Sequence, residues 1–185
     1  RAAEAQGGDC AFFPFSFGPF LGFWTAFEAA QNLGILSIPG GGMGSLERLQ
    51  LLLNQQASIL CATPTYAIRL AEAAAEHNVD LRESPVRKII VAGEPGGSIP
   101  RIRKRIEELW PQSKVYDHHG MTEVGPVTFQ IKDQEDQLHI IETAYLAEVL
   151  CPDTQQPVKD GETGELILTT LGRAGSPWGH PSYRG

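Results

Sequence analysis

The chain has 185 residues, 42% of them hydrophobic and 20% charged, a globular composition with room for one core or one and a fraction. Its formal net charge of −7 argues against a nucleic-acid surface, which needs clustered Lys and Arg, and no apolar run approaches the roughly 20 residues of a membrane-spanning helix. The three cysteines, Cys10, Cys61 and Cys151, show neither zinc spacing nor a disulfide framework, so the expected setting is reduced, cytoplasmic and away from membranes.

Residues 12–27 are apolar, but Pro14, Ser16, Gly18 and Pro19 interrupt them and no charged start of a signal peptide precedes them. Residues 35–38 read as a short buried strand stopped by Pro39, Gly40, Gly41 and Gly42. Ser45 then caps a helix whose Leu46, Leu49 and Leu53 recur at helical spacing. Residues 57–62 are the next strand, and Thr63-Pro64 opens an alanine-rich helix that reaches about Glu76. Residues 86–92 form a third strand centred on Ile89, Ile90 and Val91. Ser98 and Pro100 start a third helix, with Ile102, Ile106 and Leu109 on one face and Pro111 as its stop. Its basic run, Arg101 to Arg105, is followed by Glu107 and Glu108 and reads as a solvated face. Residues 114–118 are a fourth strand.

This alternation predicts a parallel sheet flanked by helices and joined by right-handed crossovers. From Val127 the pattern changes: residues 127–131, 138–141, 145–150 and 165–170 are strand-like without helices between them, and 133–137 and 157–164 are polar turns. The expected fold class is therefore α/β, a mostly parallel sheet followed by a small antiparallel or barrel-like β region, divided as residues 1–126 and 127–185.

Ligands of open parallel sheets bind beyond the carboxyl ends of the strands. Here those ends carry Pro39 to Gly42, then Thr63, Pro64, Thr65 and Tyr66, then Gly93, Glu94, Pro95, Gly96 and Gly97, and finally His119 to Glu123. The last loop sets the Thr122 hydroxyl beside the Glu123 carboxylate just after Gly120, which supplies donors for phosphate oxygens and a ligand for Mg²⁺. Each piece also has an ordinary reading. Glycines and prolines after strands are most often turns, Thr63 and Ser98 serve as helix caps, Glu94 suits a helix N-terminus, and His118 can be a satisfied core histidine. Neither G-x-x-x-x-G-K-[ST] nor G-x-G-x-x-G occurs. Spacing alone implies an α/β domain with a small-molecule cleft.

The succession Ile38-Pro39-Gly40-Gly41, Ala62-Thr63-Pro64-Thr65-Tyr66, Ala92-Gly93-Glu94-Pro95, Gly120-Met121-Thr122-Glu123-Val124-Gly125-Pro126 and Gly164-Glu165-Leu166 resembles the adenylate-forming superfamily. The Gly93-Glu94-Pro95 triplet and the Thr122 to Pro126 ending are most similar to its phenylacetate–CoA ligase branch. The resemblance covers roughly residues 12–170.

It implies that ATP activates a carboxylic acid, aryl or otherwise apolar, to an acyl-adenylate, which a thiol, usually that of coenzyme A, then takes from AMP. Positioning and charge stabilisation carry such chemistry without a protein nucleophile. By the resemblance, Gly93, Glu94 and Pro95 border the adenine. Asp117, His118, His119, Gly120, Met121 and Thr122 wrap the adenine and phosphates. Thr122 bonds a phosphate oxygen and Glu123 holds Mg²⁺, and these two are the catalytic candidates. The aromatic run Phe12, Phe13, Phe15, Phe17, Phe20 and Phe23 resembles the acid-side helix and its lead-in, with Phe15, Phe17, Gly18 and Tyr66 as pocket candidates.

The sequence also departs from the family pattern. His119 stands where the family places a tyrosine, and still offers a ring to a purine. The Ser/Thr/Gly-rich phosphate loop with its lysine and the lysine-bearing C-terminal domain are not found. Leu171 to Pro177 matches the approach to the ribose-binding aspartate, but Trp178 to Gly185 diverges. Read this way, the chain is an internal piece of a longer ligase, not expected to turn over substrate alone. Loading of a carrier protein and a non-catalytic nucleotide-binding scaffold remain alternatives, and the oligomeric state stays open. His139 and Cys151 are too isolated to predict a structural metal. No Gly-x-Ser-x-Gly elbow supports a hydrolase.

Overall fold

The computed structural model describes residues 3–18 and 21–172 together with the strand Ser182–Arg184. Phe20 and the stretch 173–181, both used in the sequence reading, lie outside the described residues.

In chain order the first part runs β1 (Cys10–Phe13), α1 (Leu21–Asn32), β2 (Leu36–Pro39), α2 (Ser45–Asn54), β3 (Ile59–Ala62), α3 (Pro64–Glu76), β4 (Lys88–Val91), α4 (Pro100–Leu109) and β5 (Lys114–Asp117). The five strands form one parallel sheet in the order β2-β1-β3-β4-β5. Four of them were expected. The fifth, β1, lies inside the aromatic stretch that reads as the lead-in to a helix, and it is inserted between β2 and β3. It is an apolar run of only four residues between Asp9 and Pro14, too short for periodicity to separate strand from helix. The helix that follows begins at Leu21.

Local chemistry explains most helix starts. Thr63 caps α3 as expected, its hydroxyl oxygen accepting the Tyr66 N–H at 3.2 Å. Two expected caps move by one residue. Gly44, not Ser45, is the N-cap of α2, and the Glu47 carboxylate reaches back to accept its N–H at 2.9 Å. Ile99, not Ser98, precedes α4, and the Ser98 N–H donates to the Asp117 carboxylate.

The sheet is covered on both sides. Phe12, Leu60, Ala62, Ile89, Val91 and Val115 pack with Leu49 and Leu52 of α2, Ala67 and Leu70 of α3, and Ile106 and Trp110 at α4. Trp110 is fully buried and its indole N–H donates to the Ala67 carbonyl at 3.0 Å, so the ring is anchored at both its apolar and its polar end. On the other face Ala11, Phe13, Ile35, Ile59 and Cys61 meet Ala26, Phe27 and Ala30 of α1. No residue of α1 is fully buried.

After β5 come the short hairpin β6 (Gly120–Met121) and β7 (Gly125–Pro126), then β8 (Thr128–Phe129) and β9 (His139–Ile140). Where the sequence predicts strands over 127–131 and 138–141, only these pairs of residues remain extended. The chain divides into two compact units, residues 1–139 and 140–185. The second holds β10 (Tyr145–Leu150) and β11 (Glu165–Thr170), antiparallel with Tyr145 opposite Thr170 and Leu150 opposite Glu165, and β12 (Ser182–Arg184) on the far edge of β11. Alternation buries Tyr145 and Leu168 and exposes Leu146. No helix among the described residues is long and apolar enough to cross a membrane.

Candidate functional site

From β1 the chain moves outward through α1 to β2, then crosses back through α2 to β3 on the other side of β1. Connections leaving in opposite directions open a crevice at the carboxyl ends of β1 and β3. A cavity of about 650 Å³ lies there, beneath α1, within the size range of small-molecule sites. Its floor is the α1-facing side of the strands, including Phe13, Cys61 and Ile90, and its roof is Phe23, Ala26 and Ala30. The small α1 side chains leave the space. The mouth, at the carboxyl edge, is set by Thr63, Gly93, His118, Gly120, Met121 and Thr122.

The hairpin at the mouth is held from several sides. Gly120 pairs with Pro126 and Met121 with Gly125. The His119 N–H donates to the Thr128 hydroxyl at 2.8 Å, and the His119 carbonyl accepts from Val127 at 2.9 Å. Val124 is buried, which anchors the turn and leaves Thr122 and Glu123 exposed at its tip.

Asp117 is engaged inward. Its carboxylate accepts the Ser98 N–H at 2.6 Å, and its own N–H donates to the Gln130 side-chain oxygen at 3.0 Å. That oxygen also accepts from buried Arg103 at 2.7 Å. A Cβ on Gly97 would stand 2.5 Å from the Asp117 carboxyl carbon, so only glycine lets this loop approach so closely. Gly93, at φ +90°, needs glycine for its backbone alone.

Glu94 also has internal partners: its carboxylate accepts the Thr65 N–H at 3.0 Å and the Thr65 hydroxyl at 2.5 Å. Burial works to raise its pKa, but the bonds from Thr65 and Thr63 prevail and hold it below the ordinary value. It stays ionised and ties the loop after β4 to the start of α3.

Of the residues singled out in the sequence, Gly93, His118, Gly120, Met121 and Thr122 come together around the cavity. Glu94, Pro95, Asp117, His119 and Glu123 belong to the same loops but not to its lining. Phe15, Phe17, Gly18 and Tyr66 do not line it either. Phe15 stacks on Phe23 at 4.1 Å, and Phe17 packs against Trp24 and Phe27. Tyr66 packs on the α2–α4 side, where its hydroxyl accepts from Arg48 at 2.7 Å. The lining residues that sequence reasoning missed, Ala11, Ile59, Cys61, Ala26 and Ala30, carry no motif. The alternation along the strands and the run of small residues in α1 were their only signals.

Among the described residues, two titratable groups, Cys61 and His118, face this space. Burial pushes the Cys61 thiol up to about 12, so it stays protonated and unreactive. Burial also lowers the His118 pKa, against the opposing pull of Asp117, which favours a neutral ring.

The fold and site define an open, doubly wound α/β protein with a small-molecule cleft at its switch point. The chain belongs to the family of AMP-binding enzymes, which it matches over residues 10–173. It is 29% identical over 179 residues to a phenylacetate-coenzyme A ligase of Pseudomonas putida and 29% identical over 179 residues to one of Thermus thermophilus. These alignments cover 96% and 95% of this chain, and 40% and 39% of the relatives. Among solved structures it is similar to 2-hydroxyisobutyryl-CoA ligase in an open conformation in complex with 2-HIB-AMP and CoA. The TM-score is 0.85 at 28% identity, over 92% of this chain and 40% of that one. The chain thus spans about two-fifths of the length of the relatives it matches.

Proposed function

We propose that this protein takes part in the ATP-dependent activation of an aryl or other apolar carboxylic acid and the transfer of its acyl group to coenzyme A. One observation carries this reading: the exposed Thr122–Glu123 turn stands at the polar mouth of an apolar cavity. The CoA ligases among its relatives support coenzyme A as the acceptor. Residues 1–126 would carry the nucleotide and acid sites, with residues 127–185 as a β-rich region of the same domain.

In the first step a carboxylate oxygen attacks the α-phosphorus of ATP and the bond to pyrophosphate breaks. In the second the thiol sulfur attacks the acyl carbon, and AMP leaves with the former carboxylate oxygen. Both steps join groups that need only be held in line, so alignment supplies the acceleration. A protein nucleophile is unnecessary, and the protonated Cys61 does not offer one.

The fixed loops suit that task. Gly93, Glu94 and Pro95 form a backbone ledge for the adenine, stiffened by the Glu94–Thr65 bonds. His119, exposed at the outer side of the hairpin, offers its ring to the purine. Asp117 holds the Gly97–Ser98 loop close, Gly120 and Met121 position the turn, and the Thr122 hydroxyl donates to a phosphate oxygen. Glu123 is exposed, with no hydrogen bond or ion pair among the described residues, and a single free carboxylate fits Mg²⁺, which commonly takes one or two protein carboxylates beside substrate phosphates. Bound there, the ion would offset the charge of the two reacting anions.

Calorimetric titration of the purified chain with Mg·ATP tests the reading. Binding should weaken by roughly tenfold or more in Glu123→Ala, a difference of about 1.4 kcal/mol. Equal affinity in the two proteins would overturn the assignment of Glu123.

A further inference from the structure

The cavity is polar at one end only. Its walls along the sheet are alanine, phenylalanine, isoleucine and cysteine, and its polar side chains gather chiefly where the strands end. Two of the cavity's polar side chains are already occupied. The Thr63 hydroxyl accepts the Tyr66 N–H, and the Thr25 hydroxyl, in the roof, donates to the Leu21 carbonyl at 2.9 Å. His118 differs. Its backbone N–H donates to the Val91 carbonyl at 3.2 Å, which fixes where the residue stands. Its ring has no hydrogen bond or ion pair with the described residues.

We infer that His118 serves the acid rather than the nucleotide, and that the site selects an acid bearing a hydroxyl or amino group close to its carboxylate. The inference rests on the acid-activation reading. The adjacent histidines part company: His119 is exposed, while His118 lines the cavity. A neutral imidazole presents one donor and one acceptor, and with no partner among the described residues both are open to a ligand group that enters the cavity. The proposed reaction puts the carboxylate beside Thr122. His118 is four residues from Thr122, at most about 14 Å of extended chain, and both line the same end of the cavity, so a group that meets the ring belongs to the carboxylate end of the acid. The deeper, apolar end accepts the hydrocarbon body. An acid lacking the polar substituent fits the walls but leaves the ring desolvated and unpaired, the situation in which sites discriminate most strongly.

Phenylacetate and mandelate differ by one hydroxyl on the carbon next to the carboxylate, and both carry an aryl body. Calorimetry of the full chain with phenylacetate and with each mandelate enantiomer should show one enantiomer binding roughly tenfold more tightly than phenylacetate. In His118→Leu that advantage should vanish, the two acids then binding alike. The wild-type chain gives a readout independent of how the variant folds: the ring-nitrogen resonances of His118 should move with the preferred mandelate and not with phenylacetate. Equal binding of the acids, an advantage that survives His118→Leu, or unmoved ring nitrogens would overturn this inference alone. Binding of neither acid would overturn the acid-pocket reading and this inference with it.

Discussion

On one face of the sheet, α2, α3 and α4 seat Leu49, Leu70, Ile106 and Trp110 against Phe12, Leu60 and Ile89, all fully buried. On the other face α1 covers Phe13, Ile59 and Cys61 without one fully buried residue of its own, and a cavity of about 650 Å³ remains beneath it. The same strands supply both surfaces, since successive residues point to opposite sides. The difference lies in the helices. Leucine, isoleucine and tryptophan at α2, α3 and α4 join alanines in filling one interface, while on the other Gly22, Ala26, Ala29 and Ala30 of α1 line the space left open. The packed face buries one side of the strands fully, and the other side of the same strands forms the floor of the cavity.

The largest expected effect falls on the packed face. Trp110→Ala removes a buried ring together with its bond to Ala67 and should cost about 3–5 kcal/mol in urea unfolding. A cost below about 1 kcal/mol would show that this face does not carry the fold.

A matched pair sharpens the comparison. Ala67→Leu, on the packed face, adds volume where none is free and should destabilise by about 1–3 kcal/mol. Ala26→Leu adds the same volume under α1 and should stay within about 1 kcal/mol of the parent, while reducing phenylacetate binding by roughly tenfold. Equal stability costs at the two positions would erase the distinction between the faces.

The smallest effect belongs to the link between the start of β1 and β4. Lys88 Nζ lies 2.9 Å from the Asp9 carboxylate, both largely shielded. Burial alone would raise the Asp9 pKa, but the bonds from Lys88, Ser58 and Gln6, with the Lys88 charge, hold it below the ordinary 3.8. A carboxyl group depressed by folding stabilises fully above its unfolded value and loses that contribution as pH falls through its folded value. Asp9→Asn should therefore cost about 1 kcal/mol near pH 7 and much less near pH 3, measured as urea midpoints at the two pH values. An equal cost at both would show that the pair is not the source.

Much of the fold was legible because its signals are local. Three helices and four strands followed from apolar spacing, from the Thr63 cap and from Pro111 as a stop, each a property of a few neighbouring residues. β1 escaped because four apolar residues before a proline have no period to read. The caps at Ser45 and Ser98 missed by one position: the Gly44 N–H is held by Glu47 and the Ser98 N–H by Asp117, and the Asp117 contact joins residues 19 positions apart. The Thr122–Glu123 loop was legible as chemistry, since a hydroxyl and a carboxylate after glycine keep their character wherever the loop lands.

By itself the sequence determined the α/β alternation, the position of the polar loops at strand ends and the resemblance to the adenylate-forming enzymes. Tertiary structure alone decided the order β2-β1-β3-β4-β5, which face of the sheet would be left open, and that His118 rather than Phe15, Phe17 or Tyr66 lines the cavity. The physical reason is range. Propensity, capping and periodicity act over a few residues, whereas a cavity exists only where side chains from several distant segments fail to meet.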